Sequence, residues 1–149
     1  MKLLITTRSD DRVQHLADIS HPIIKEYANK VGADFMILDH EPESDSGDGR
    51  PHYRIMKHFD LHEEYHRILH IDTDMIIPNF PDLFKMVPYE EIATIFEDKG
   101  SRTHARRNLI VGAQQKFGFV DWSEGYINTG LFMTSRTHKK IYQKINNEF

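Results

Sequence analysis

The sequence contains no cysteine, and that absence removes a disulfide framework, a thiolate zinc site and a cysteine nucleophile together. It also lacks any apolar run of the roughly 18 residues needed to cross a bilayer. The Leu3-Leu4-Ile5 run gives way at once to Thr6, Thr7 and Arg8, too soon for a signal peptide. An excess of positive charge is missing as well. The formal net charge of −4 argues against a partner bound through many nucleic-acid phosphates. There is no internal repeat and no low-complexity tract. These absences leave the expectation of a soluble, cytoplasmic protein, with residues 1–149 forming one domain and one core.

What is present is an alternation of short apolar runs with longer periodic stretches, the order of an α/β domain. Leu3-Leu4-Ile5 opens a buried strand with a polar end at Thr6-Thr7-Arg8-Ser9. Val13, Leu16 and Ala17 begin a helical stretch, Pro22 is expected to restart or kink it, and Gly32 stops it. Phe35-Met36-Ile37-Leu38 reads as a second strand, followed by an acidic loop over 39–51. Helical spacing returns from Tyr53 to Tyr65. Ile68-Leu69-His70-Ile71 is a third strand, expected to continue through Asp72-Thr73-Asp74 and Met75-Ile76-Ile77 to Pro78. Phe80 to Phe84 reads as a turn into a short helix, Ile92 to Phe96 as a fourth strand, and Tyr126 to Thr134 as a fifth. Between the last two, 99–125 has no clean period, and a helix is expected over part of it. Ser135 to Phe149 reads as a closing helix capped by Ser135, with Ile141, Tyr142 and Ile145 facing inward.

Asp72 and Asp74 carry the sharpest signal. In an extended strand residues i and i+2 point to one side, so the two carboxylates converge while Thr73 points away. Such a pair repels itself unless a cation lies between, and hard oxygen ligands suit Mn²⁺ or Mg²⁺ completed by water and substrate phosphate. An isolated Asp-x-Asp more often only starts a turn. Here apolar runs stand on both sides, and charge in that setting needs compensation. Two reaction classes use such a pair. A dehalogenase-like phosphatase makes its first aspartate a nucleophile near the N-terminus; a nucleotide-sugar transferase holds a metal against the donor diphosphate. The mid-chain position and Met75-Ile76-Ile77 favour the second.

Tyr53-Arg54-Ile55-Met56-Lys57 followed by Tyr65 to Ile77 resembles the metal-binding region of GT-A-fold glycosyltransferases, most nearly the family-eight type that includes glycogenin-like and lipopolysaccharide galactosyltransferase-like enzymes. Tyr126-Ile127-Asn128-Thr129-Gly130-Leu131-Phe132 resembles their Asn-x-Gly strand by the donor sugar, and the two blocks stand in the expected order. The resemblance implies an α/β, Rossmann-like GT-A fold with a mainly parallel sheet. It implies metal-dependent hexosyl transfer from a nucleotide-diphosphate sugar, most simply a UDP-sugar, to a carbohydrate or lipid-linked glycan acceptor. Carried over by position, Thr6, Thr7 and Arg8 lie by base and ribose, and Arg54 and Lys57 offer basic groups to the donor. Asp72 and Asp74 hold Mn²⁺ or Mg²⁺ as catalytic and metal residues, with Thr73 between them at the donor. Asp98, after the fourth strand, and Asn128, Thr129 and Gly130 lie by the sugar, the glycine allowing close backbone approach. Family members continue past the Asn-x-Gly strand to a further acidic motif and a metal-binding histidine. The present sequence has no such segment, so a minimal domain with a short acceptor half is expected. A non-catalytic nucleotide-sugar or glycan-binding module is the alternative, and a homo-oligomer is left open.

The family type implies retention of anomeric configuration. Inversion would need a general base, for which Asp121 and Glu124 are the candidates, with ordinary loop acids as the plainer account. His58, His62 and His66 recur every four residues, and His62-Glu63-Glu64-Tyr65-His66 matches the His-Glu-x-x-His pattern of zinc peptidases. No downstream third ligand stands in a peptidase arrangement, so an exposed helix face is the expected reading. Arg102, His104, Arg106 and Arg107 could meet an anionic acceptor or simply form a solvated face. Trp122 could stack on a sugar ring or serve as a core or lid residue.

Overall fold

The computed structural model describes residues 1–38, 51–96, 103–118 and 127–143. The apolar runs form β1 (Leu3–Arg8), β2 (Asp34–Leu38), β3 (Arg67–Ile71), β4 (Ala93–Phe96) and β5 (Ile127–Ser135). Between them lie α1 (Gln14–Val31), α2 (His58–Glu64), α3 (Leu83–Met86) and α4 (Thr103–Phe117). Two 3₁₀ segments, Pro51–Lys57 and Arg136–Tyr142, lead into α2 and follow β5.

The strands form one sheet in the order β2-β1-β3-β5-β4. β1 is parallel to both β2 and β3, whereas β5 runs antiparallel to β3 and β4. Alternation along each strand divides the side chains between two faces. Ile5, Leu69, Ile71 and Met133 meet Ile24, Tyr27 and Ala28 of α1 on one face. On the other, Leu4 and Ile68 meet Tyr65, and Phe132 meets Ile55 and Tyr142. The chain leaves β1 for β2 on one side and returns to β3 on the other. The carboxyl ends of β1 and β3 therefore flank the switch point where open α/β sheets form a crevice.

Several boundaries differ from the sequence expectation. β1 reaches Arg8, so Thr6 and Thr7 belong to the strand. α1 runs through Pro22 as one helix and ends on Gly32, whose φ of +70° supplies the left-handed turn that bonds back to Asn29 and Ala28. β3 stops at Ile71 instead of continuing to Pro78. The carbonyl of Asp72 turns to accept the N–H of Met75 at 3.0 Å. Asn79 and Phe80, at φ +58° and +46°, then fold the chain back, so Met75, Ile77 and Phe80 pack on the α1 face. The closing segment is 3₁₀ over Arg136–Tyr142, with Tyr142 4% exposed and Ile141 47% exposed, the reverse of the expectation for Ile141. Ile145 lies outside the described residues.

Arg67 opens β3 as a buried cation. Its guanidinium donates to the carbonyls of Phe84 at 2.6 Å, Val87 at 2.9 Å and Pro88 at 3.3 Å, fastening α3 and its exit to the central strand. Arg67→Met keeps the apolar stem but strips these carbonyls of donors. It is expected to cost about 2–4 kcal/mol by urea unfolding. A loss below about 1 kcal/mol would show that apolar packing alone holds the segment.

Candidate functional site

Asp72 leaves the end of β3 on the same face as His70, two residues earlier. Its backbone N–H donates to the carbonyl of Gly130 at 2.6 Å, extending the β3–β5 pairing by one bond. Its Oδ1 accepts from the Arg8 guanidinium at 2.8 Å and from His70 Nε2 at 3.2 Å. Burial pushes the Asp72 carboxyl up, but the His70 hydrogen bond and the Arg8 charge outweigh it, leaving the group below the ordinary aspartate value. Asp72 is an ionised carboxylate, only 25% exposed, at the end of the most central strand.

Behind it lies a buried polar chain. His70 Nδ1 is 3.0 Å from Thr6 Oγ1, which is 2.9 Å from His58 Nε2. His58 Nδ1 is 3.2 Å from the Tyr142 hydroxyl, which is 3.0 Å from Thr134 Oγ1. Thr134 in turn is 3.0 Å from His62 Nε2, and His62 Nδ1 faces the Tyr65 carbonyl at 3.3 Å. Burial drives the His58 value well below that of an ordinary histidine, with the neighbouring His70 and His62 adding to it. Burial likewise lowers His70, against the opposing pull of Asp72. The exposed-face reading of His58, His62 and His66 therefore fails for the first two, which are 0% exposed, while His66 is half-buried. The peptidase pattern also fails geometrically. α2 ends at Glu64, and His66 Nδ1, off the helix, accepts the N–H of Lys2 at 3.0 Å.

Gly130 is fitted between two side chains. A Cβ there would lie 2.8 Å from Asp72 Oδ2 and 2.8 Å from Asn128 Oδ1. The β4–β5 register jumps at this point, Thr94 pairing with Phe132 but Ile95 with Asn128. Thr129 to Leu131 are thereby left out of the β4 pairing. Asn128 Oδ1 accepts the Gly130 N–H at 2.6 Å, while its carbonyl accepts the Thr94 hydroxyl at 2.6 Å. The bulge thus brings Asn128 and Gly130 to Asp72 and keeps the freed N–H bonded.

The other nominated residues are distributed around this centre. Thr6 and Thr7 are buried with their hydroxyls turned inward, Thr7 towards His21 Nε2 at 3.5 Å. Thr73 is buried and donates to the Arg8 carbonyl, with His21 Nε2 3.4 Å from its hydroxyl. Asp74 is exposed in the turn after β3, so the strand geometry that would align it with Asp72 does not exist. Arg54 donates to the carbonyl of Ser9 and to that of Leu38 at 3.4 Å, joining the ends of β1 and β2. Lys57 is half-buried at the end of its 3₁₀ segment, and Thr129 is exposed. Glu97, Asp98, Arg102, Asp121, Trp122 and Glu124 lie outside the described residues, as do the side chains of His104, Arg106 and Arg107.

Sequence reasoning missed His70, although the i, i+2 rule applied to Asp72 and Asp74 also pairs His70 with Asp72. Among the described residues no group of three or more His, Cys, Asp or Glu side chains stands ready to hold a metal ion. Asp72 and Asp74 are the carboxylates nearest to such a role, and a divalent ion held there would take most of its ligands from water and substrate phosphate.

No protein-family model matches the sequence, and no curated protein does. Solved structures do share its fold. A glycosyltransferase involved in glycosylation of the major capsid of PBCV-1 superposes with a TM-score of 0.60 at 13% identity, over 95% of this chain and 64% of its own. The galactosyltransferase LgtC, solved with donor and acceptor sugar analogues, superposes with a TM-score of 0.56 at 16% identity, over 95% and 60%. This is the GT-A fold. At these identities the likeness is one of fold, and the chain spans less than two thirds of either neighbour. Within the GT-A fold, Asp72 occupies the carboxyl end of β3 at the switch point.

Gly130→Ala is expected to cost about 1–3 kcal/mol through overpacking. Combining it with Asp72→Ala should recover part of that loss, whereas additive losses in urea unfolding would place the strain elsewhere. The buried histidines predict a pH dependence. The folded chain holds them neutral while the unfolded chain protonates them below about pH 6.5, so stability falls as pH drops through that value. The slope is up to about 1.4 kcal/mol per pH unit for each such histidine. Equal stability at about pH 7.5 and about pH 5.5 would contradict a neutral buried network.

Proposed function

We propose that this domain transfers a sugar from a nucleotide-diphosphate sugar, a UDP-sugar, to a hydroxyl of a carbohydrate or lipid-linked glycan acceptor. The observation that carries the reading is an ionised carboxylate, Asp72, beside the Arg8 guanidinium at the switch-point end of the central strand. The fold it shares with two glycosyltransferases supports the same assignment.

In this reading the reaction breaks the bond from the anomeric carbon to a phosphate oxygen, and negative charge grows on the departing diphosphate. On this assignment the Arg8 guanidinium meets that charge. Arg54 fixes the ends of β1 and β2, so that the backbone of Thr7 to Ser9 presents a firm edge to the nucleoside. Thr6 and Thr7 contribute through this backbone, their hydroxyls being committed inward. Asp72 and Asp74 would hold Mn²⁺ or Mg²⁺, which when bound supplies Lewis-acid compensation of the diphosphate charge. Asn128, Thr129 and Gly130 line the sugar side, with Lys57 and Asp98 assigned to the donor by their positions in the sequence.

The test is donor turnover with UDP-, GDP- and CMP-sugars, with and without Mn²⁺, alongside thermal shift with the same compounds. Asp72→Asn is expected to lower turnover about 10²–10³-fold while the protein still folds. Stabilisation by a nucleotide sugar with no turnover on any donor would make the domain a non-catalytic binding module. No response to any of these donors would defeat both readings.

A further inference from the structure

We propose that Arg8 holds the cation position at Asp72, so that this carboxylate accepts a divalent ion only when the ion arrives on a diphosphate. The inference rests on the donor-binding reading above and adds to it an order of binding and a residue that enforces it. One oxygen of Asp72 is already paired, and the other is crowded by Gly130. Oδ1 takes the Arg8 guanidinium at 2.8 Å and His70 Nε2 at 3.2 Å. Oδ2 lies against the backbone of Gly130, 2.8 Å from where a Cβ would stand.

The Arg8 and Asp72 side chains are only 16% and 25% exposed, so water screens their attraction weakly. A free divalent ion approaching Oδ1 meets a fixed positive charge at hydrogen-bond range of the same oxygen. Asp74, exposed in the next turn, is a lone carboxylate and by itself a poor ligand set for Mg²⁺ or Mn²⁺. A metal ion carried on a diphosphate changes the balance. The phosphates offer the planar guanidinium a bidentate partner of higher charge than the carboxylate it leaves. Arg8 would then pair with phosphate, and the Asp72 carboxylate it releases would be available to hold the metal. The backbone permits this movement. Arg8 is the last residue of β1, and its carbonyl is held by the Thr73 hydroxyl, so a change of side-chain rotamer would not require the strand end to move.

Mn²⁺ affinity, read by the EPR signal of unbound Mn²⁺, tests the proposal without reference to activity. The wild-type chain is titrated with Mn²⁺ alone, with UDP alone in EDTA, and with both. Mn²⁺ alone is expected to bind weakly, and UDP to tighten it at least about tenfold, the equivalent of about 1.4 kcal/mol. Arg8→Met keeps the volume and removes the charge. It should bind Mn²⁺ alone at least about tenfold more tightly than wild type and lose UDP binding in EDTA. Arg8→Lys keeps the charge and should leave Mn²⁺ alone weak, which provides the comparison if the methionine variant does not fold. Mn²⁺ affinity unchanged in Arg8→Met, or tighter in Arg8→Lys than in wild type, would overturn the proposal. Failure of UDP to bind with or without Mn²⁺ would instead defeat the donor reading, leaving the Mn²⁺-only comparison of the variants to report on Arg8.

Discussion

One largely buried carboxylate sets the terms for the carboxyl ends of β1 and β3. An ionised group withdrawn from water needs donors and countercharge close at hand. Asp72 obtains them from Arg8 at the end of β1 and from His70 on its own strand. To fix the backbone at Asp72, β5 must come close enough for the Gly130 carbonyl to accept its N–H. That approach leaves no room for a Cβ at residue 130, and it breaks the register between β5 and β4. The break would strand the Gly130 N–H, and Asn128 closes it with its own side chain. A glycine, an asparagine and a bulge are thus consequences of placing one charge at one strand end.

The side of the sheet behind Asp72 differs in kind from the α1 side. Around α1 the contacts are apolar, and their gain follows the area removed from water. Around α2 and the closing 3₁₀ segment, three histidines, two threonines and a tyrosine occupy the space, ringed by Ile55, Phe132 and Phe59. A polar interior of this type is stable only while its groups are bonded, and it penalises any arrangement that leaves one bare. It also makes the closing segment part of the site's foundation. Tyr142 reaches Asp72 through His58, Thr6 and His70, so the packing after β5 bears on a carboxylate at the opposite end of β3.

Much of the sheet was legible in local sequence. Leu4, Ile5, Ile68, Leu69, Ile71, Phe132 and Met133 lie in runs that read as strands, and all are buried. The α/β order and the polar strand ends pointed to the carboxyl ends of β1 and β3. Legibility failed where burial depended on partners far away in the chain. His58 and His62 stand on a helix like any polar face. What buries them is Thr6, Thr134 and Tyr142, which no local period can announce. The continuation of β3 failed for a related reason. Met75 and Ile77 are apolar because they return to the α1 core after a turn, and apolarity alone does not distinguish return from extension. At Gly130 the need for close approach was foreseen from a resemblance, but the near neighbours are Asp72 and Asn128 of the chain itself.

The direction of the buried chain is dictated from one end. Seven links join Asp72 to the Tyr65 carbonyl through six side chains, each of which brings one shareable proton when neutral. Six protons cannot fill seven links. Because Asp72 can only accept, His70 must donate from Nε2 and accept at Nδ1. Thr6 then donates to His70 and accepts from His58, Tyr142 donates to His58, Thr134 to Tyr142, and His62 to Thr134. The shortfall arrives at the far end, where the bare Nδ1 of His62 faces the Tyr65 carbonyl across 3.3 Å, the longest of the seven links. An imidazolium would supply the missing proton, but burial holds these histidines below their ordinary value. Reversing the chain to satisfy His62 would turn a ring nitrogen lone pair on His70 against the carboxylate. The unsatisfied contact therefore sits where it costs least, between two neutral acceptors and as far along the chain as possible from the charge that orients it.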